Sequence, residues 1–120
     1  MVLDEYEDIK GPASKADRII RIYSNRCVLN ARACYVLFDH TNPRIGFRVS
    51  KNGVFIIPDA QATGFRVTMR KGRSCGYINS VRLCRRLIDK LGATGAYKID
   101  DYPTKFPDGL CYLIQPMRLN

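Results

Sequence analysis

A block of this chain returns fifty residues later in the same order of chemical types. Residues 32–39 and 47–49 carry Arg32, Cys34, Leu37, Asp39, Phe47, Arg48 and Val49; the later block carries Arg82, Cys84, Leu87, Asp89, Tyr97, Lys98 and Ile99. Each block follows a short apolar pair, Val28-Leu29 or Tyr77-Ile78, with polar residues beside it that suit a helix N-cap. Each leads into Asn52-Gly53 or Asp108-Gly109 and then an apolar run ending in proline, Val54 to Pro58 or Leu110 to Pro116. Units this short do not bury a core alone and complete one another's. The expectation is one duplicated domain with approximate twofold symmetry: repeat one over 18–60, repeat two over 61–120, and residues 1–17 outside it.

At 120 residues the chain has room for one core and not for two independent ones. Its 46% apolar and 26% charged residues fit a water-soluble globular domain. Runs such as Val54-Phe55-Ile56-Ile57 are too short to span a bilayer. The first residues, Met1-Val2-Leu3-Asp4-Glu5, lack the basic and apolar regions of a secretory signal, so a cytoplasmic protein with no membrane partner is expected. Five cysteines, at 27, 34, 75, 84 and 111, show no CxxC or Cys/His spacing, which argues against a disulfide framework and a zinc site. Cys34 and Cys84 read as small buried hydrophobes. Cys75, near Arg73, is the one candidate for a reactive thiol.

Charge is segregated. Residues 1–17 carry five acids and two bases, or −3, while the remainder carries 18 bases and six acids, or +12. Gly11-Pro12-Ala13-Ser14 reads as a linker, so the acidic segment is expected to be an arm beside a basic core. Arginine supplies 13 of the 20 bases, and its planar fork suits phosphates and guanine edges. Such a core points to nucleic acid or to an acidic protein surface. An arm folded over the basic face would compete with nucleic acid, and deleting it would tighten binding.

Strand and helix signals alternate along the core. Arg18 to Tyr23 and Cys27 to Leu29 read as strands around the turn Ser24-Asn25-Arg26. Asn30 can cap a helix from Ala31 to about Phe38, which Asn42-Pro43 breaks. Asn52-Gly53 predicts a hairpin, with positive φ at both central residues, between Ile45–Ser50 and Val54–Pro58. Phe65 to Arg70 alternates at period two and reads as one half-buried strand, followed by the turn Lys71-Gly72-Arg73-Ser74 and a returning strand through Ile78. Asn79 or Ser80 can cap a helix with Leu83, Cys84, Leu87, Ile88 and Leu91 on one face, stopped by Gly92. Ala96–Asp100 and Leu110–Ile114 supply the last strands. The segment from Asp101 to Pro107, with two prolines, is expected to be an ordered surface excursion.

Each unit therefore runs strand, turn, strand, short helix, strand, turn, strand. This order resembles the AbrB-like swapped-hairpin domain of bacterial transition-state regulators and antitoxins, present as two tandem copies in MraZ-type regulators. The likeness covers about residues 18–116 and is best in unit two. There Gly76 to Arg82 is similar to the family's Gly-Arg-Val-Val-Ile-Pro entry into its helix, Leu91-Gly92-Ala93 to its Leu-Gly-Ile helix end, and Tyr97-Lys98-Ile99 to its Leu-Glu-Ile strand. Neither unit has the proline that opens the family's helix or the Gly-Arg pair before the apolar strand. The fold implied is α+β, mainly β: two diverged β-β-α-β-β repeats closing one pseudo-twofold, swapped-hairpin-like barrel, as a monomeric pseudo-dimer or a homo-oligomer.

In that family the basic turn between the first two strands contacts DNA, which maps here to Arg26 in unit one and to Arg70, Lys71 and Arg73 in unit two, helped by Arg21 and Arg66. The function implied is a small bacterial or phage DNA-binding transcriptional regulator or antitoxin-like protein that binds duplex DNA. The rival reading is an inhibitor or adaptor, encoded by a phage or mobile element, that binds a host protein or nucleoprotein. Arg82, Arg85 and Arg86 read as a solvated helix face, with Arg85 and Asp89 spaced to pair. An enzyme is not expected: His40 is the lone histidine, and no P-loop, GxGxxG, metal-ligand run or cofactor motif is present.

Overall fold

The computed structural model describes residues 17–39, 41–70 and 75–117. The first hairpin is β1 (Ile19–Ile22) with β2 (Arg26–Leu29), closed by a hydrogen bond from Tyr23 N–H to the Arg26 carbonyl at 2.8 Å. Ile20, Ile22, Cys27 and Leu29 are buried while Arg21 is exposed, as the two-residue period of a strand requires. Helix α1 (Ala31–Leu37) follows at once. Asn30 caps it by accepting from Ala33 N–H at 2.9 Å, and the same oxygen accepts from Ile19 N–H at 3.1 Å while its amide donates to the Asp17 carbonyl at 2.7 Å. One side chain thus starts the helix and fastens it to β1.

β3 (Arg44–Ser50) and β4 (Gly53–Ile57) form the expected hairpin, paired Val49 to Val54 and Ser50 to Gly53. Its turn differs from the expected form. Lys51 and Asn52 are the two central residues and keep negative φ, and only Gly53, at φ 138°, lies on the positive side. Ser50 explains this, because its hydroxyl accepts from Asn52 N–H at 3.1 Å and ties the turn locally.

The run from Phe65 is not one strand. β5 (Phe65–Arg66) pairs with β3, whereas β6 (Thr68–Met69) pairs with β7 (Gly76–Asn79), and Val67 between them donates its N–H to the Pro43 carbonyl at 2.8 Å. Helix α2 (Val81–Leu91) is capped by Ser80, which accepts from Leu83 N–H at 3.1 Å, and stopped by Gly92 at φ 91°. Glycine tolerates that left-handed conformation without a Cβ clash, and its N–H closes the helix on the Ile88 carbonyl at 2.7 Å. β8 (Gly95–Ile99), β9 (Thr104–Phe106) and β10 (Gly109–Pro116) complete the chain. The excursion between β8 and β10 contains the unexpected strand β9, which pairs with the start of β10. Arg48 holds it through Asp108 at 2.9 and 2.5 Å and lies 4.7 Å from the Phe106 ring, which meets Phe55 edge to face.

All pairings are antiparallel, in the order β5-β3-β4-β10-β8-β1-β2-β7-β6. Only Val67 separates β5 from β6, so the two ends of the sheet meet and the molecule is mainly β, with a nearly closed barrel-like sheet and two helices. The core comes from the inward face of every main strand and both helices: Ile20, Ile22, Leu29, Leu37, Ile45, Ile56, Leu87 and Ile99 are fully buried. Each such side chain contributes about 1.5–3 kcal/mol. Cys34 and Cys84 are core residues, as expected. Cys27 Sγ lies 3.6 Å from Cys84 Sγ, and burial, followed by the neighbouring thiol, pushes the Cys27 thiol up. Burial, then nearness to Cys75, pushes Cys34 up to about 12.

Candidate nucleic-acid interface

The cross-strand register assembles the candidate site. In the β2–β7 ladder Arg26 faces Asn79 and Val28 faces Tyr77. Arg26 consequently donates from Nε to the Asn79 side-chain oxygen at 2.8 Å and lays its guanidinium 4.5 Å from the Tyr77 ring centre. These contacts preorganise a cation that otherwise has many rotamers. The β1–β2 turn then stands beside the end of β6, where Arg70 donates its backbone N–H to the Cys75 carbonyl at 3.1 Å.

Between the two lies an open cleft of about 750 Å³, lined by Tyr23, Ser24, Asn25 and Arg26 from the first turn, Val28 from β2, Arg70 beyond β6, and Thr94 after α2. None of these residues is acidic. Tyr23 is 48% exposed and presents an apolar ring beside the cations. Arg21 is exposed on β1 opposite Val28, and directly opposed residues project from the same face, so it belongs to the same surface.

Of the six basic residues singled out from the sequence, Arg26 and Arg70 line the cleft and Arg21 lies on the same sheet face beside it. Lys71 and Arg73 lie outside the described residues, as do His40 and the acidic arm through residue 16. Arg66 does not join the cleft: it sits opposite Arg44 in the β3–β5 pair, because the break at Val67 separates it from the β6 end that carries Arg70. The structure adds Thr94 and Asn79. Asn79 was a candidate helix cap, but Ser80 takes that role and Asn79 positions Arg26. Nothing local in the sequence marks Thr94, which arrives only because α2 folds back across the sheet.

Arg85 and Asp89 do not close an ion pair; among the described residues the pairs are Arg48–Asp108 and Lys98–Asp101. An exposed Arg placed before its acid on a helix gains too little to hold both side chains still. No group of metal-ligating side chains occurs among the described residues, and no described helix is long and apolar enough to cross a membrane. No family model, curated protein or solved structure matches the chain.

Proposed function

We propose that this protein binds duplex DNA through the cleft between the β1–β2 turn and the end of β6, as a small regulator or antitoxin-like protein working in the cytoplasm. In this reading the chain is a covalent pseudo-dimer of two β-β-α-β-β units, related by an approximate twofold axis. The register supports it: exchanging each residue with the one fifty positions away converts the Arg26–Asn79 pair into Leu29–Gly76 and the Cys27–Ile78 pair into Val28–Tyr77, so the β2–β7 ladder maps onto itself. The opening strand of each unit also pairs with the strand that follows the helix of the other, β1 with β8 and β5 with β3. Five free thiols suit a reducing compartment.

The observation that carries the functional reading is the placement of Arg26 from unit one beside Arg70 of unit two, in a cleft free of carboxylates. Arg21, Arg26 and Arg70 neutralise phosphates, joined by Lys71 and Arg73, which follow Arg70 in sequence, and Tyr23 and Asn25 reach the sugar and base edges. Phosphate contacts set affinity and register, whereas specificity comes from base contacts and duplex shape. Divergence between the units makes the preferred site asymmetric.

Five neutralised phosphates imply a log–log salt slope of about −4.5, or an affinity loss of roughly 500-fold between about 50 and 200 mM salt. Fluorescence anisotropy with labelled random duplex and RNA, for wild type and the Arg70→Ala/Lys71→Ala/Arg73→Ala variant, tests this. The slope is expected to shrink by about 2.7 in the variant. Absence of binding at low salt would instead favour the inhibitor or adaptor reading, in which the basic surface meets an acidic protein.

A further inference from the structure

A second cleft, of about 510 Å³, lies between α2 and the strands β3 and β5 and shares no lining residue with the first. Its lining is mostly apolar: Phe47 and Val49 from β3, Phe65 from β5, and Leu83 and Leu87 from the helix. Val49 is 43% and Phe65 38% exposed, and Phe47 meets Phe65 edge to face at 6.2 Å. Ile45, Phe47 and Val49 alternate along β3 and so project from one face, yet of the three only Ile45 is buried. At the matching positions of β8, fifty residues later, Tyr97 and Ile99 are both buried. The chain covers that row in one unit and leaves it open in the other.

The exposed Arg82 and Arg86 line the same cleft. No carboxylate lines it, and among the described residues none pairs with either arginine. Arg82 and Arg86, like Leu83 and Leu87, are four residues apart, so α2 presents a cationic row and an apolar row, each stepping about 6 Å. Another α-helix has the same pitch, and its own rows can lie along these two. We propose that this cleft binds an acidic amphipathic helix of a partner protein. Its large apolar side chains, spaced i, i+3, i+4 and i+7, cover Phe47, Val49 and Phe65, while carboxylates four residues apart meet Arg82 and Arg86. Charge selects this occupant: a second copy of a chain of net charge +9 is repelled, whereas an acidic segment gains ion pairs as well as apolar burial. The docking surface is independent of the nucleic-acid reading and does not involve the β1–β2 turn.

The probe is a fluorescein-labelled synthetic peptide of about four helical turns, with leucine at the i, i+3, i+4 and i+7 positions and glutamate or alanine elsewhere. Its control has the same composition in an order without helical periodicity. Fluorescence anisotropy with the full chain is expected to give a Kd of about 10–100 μM for the probe, at least about tenfold tighter than for the control. Backbone amide NMR shifts are expected to change at Phe47, Val49, Phe65 and Arg82–Arg86 and not at Tyr23–Arg26. Arg82→Glu/Arg86→Glu is expected to weaken binding at least about tenfold and the milder Arg82→Gln/Arg86→Gln several-fold, each with an unchanged far-UV circular dichroism spectrum. Val49→Glu, which sets a carboxylate in the apolar trough, should weaken it likewise, and Arg21→Glu/Arg26→Glu should leave it intact. Absence of saturable binding up to about 1 mM probe, equal affinity for the control, or shifts at Tyr23–Arg26 instead would overturn the proposal. So would binding that survives charge reversal at Arg82 and Arg86 or is lost on reversal at Arg21 and Arg26. The same shifts on concentrating the protein alone would give the cleft to a second copy, and loss of duplex affinity in Arg82→Glu/Arg86→Glu would give the arginines to nucleic acid; either result overturns it too.

Discussion

The closure of the sheet rests on one glycine. At Gly76, on β7 opposite Met69, an added Cβ would lie 2.5 Å from Val67 Cγ1 and 3.0 Å from Met69 Sδ. Val67 is the residue between β5, paired with β3, and β6, paired with β7, and it is 1% exposed. Gly76 has no positive φ, so alanine there meets no backbone strain and its cost is steric. Removing glycine from the unfolded chain favours alanine by about 0.4–1 kcal/mol, whereas overpacking costs about 1–3 kcal/mol. Gly76→Ala is therefore expected to destabilise by about 1–2 kcal/mol net, or about 5–10 °C in Tm. Val67→Ala removes the clashing methyl and costs about 2 kcal/mol by itself, two buried methyls plus residual cavity. In the double variant Gly76→Ala no longer meets Cγ1, so the two changes together cost at least 1 kcal/mol less than their sum. Urea unfolding followed by circular dichroism at constant m-value measures all four corners of this cycle. Additivity of the two substitutions, or a neutral Gly76→Ala, would show that Val67 does not pack on β7, and the closure described here would be wrong.

Asn30→Ala removes a helix cap together with the bonds to Ile19 and Asp17, so it is expected to cost about 2 kcal/mol against about 1 kcal/mol for Ser80→Ala, a simple cap, in the same unfolding assay. The Arg48 hydrogen bond holds the Asp108 carboxyl below its ordinary value. For a depressed carboxyl, stabilisation of the β9 excursion is complete above the ordinary Asp range and is lost as pH falls through the lowered value; Asp108→Asn removes that acid dependence, read as faster amide exchange at Thr104–Phe106. Buried Cys27, Cys34 and Cys84, two of them with thiols pushed up, alkylate slowly in native protein. Half-buried Cys75 reacts first with iodoacetamide, and mass spectrometry of timed samples checks that order.

Local chemistry made much of the fold readable. Asn30, Ser80 and Gly92 are helix boundaries that short-range hydrogen bonding and backbone conformation decide, and each lies where its residue type demands. The strands β1, β2, β7 and β8 follow from alternation against a core. The reading fails where long-range pairing decides. Phe65 to Met69 alternates without interruption, yet splits at Val67 because Pro43, distant in sequence, offers a carbonyl there. The same break separates Arg66 from Arg70, which strand periodicity alone would leave side by side. β9 is invisible in its prolines and depends on Arg48, a residue of β3, for its anchorage.

The site divides along the same line. Arg21, Arg26 and Arg70 stand out by charge and turn position, but their convergence depends on the β2–β7 register, which sequence pattern does not specify. Thr94 joins the cleft only through the return of α2. Asn79 shows how one residue type serves two ends: an amide beside a helix start suits a cap, yet Arg26, its direct partner across the β2–β7 ladder, claims it first.

Arg26 and Arg70 are proposed to form a single nucleic-acid surface. This central claim is tested most directly by comparing salt slopes for duplex binding among wild type, Arg26→Ala, Arg70→Ala and the double variant. Each single substitution is expected to reduce the slope by about 0.9 and the double by about 1.8. Slopes that do not change in either single variant, or that change for Arg70→Ala alone, would contradict a shared surface.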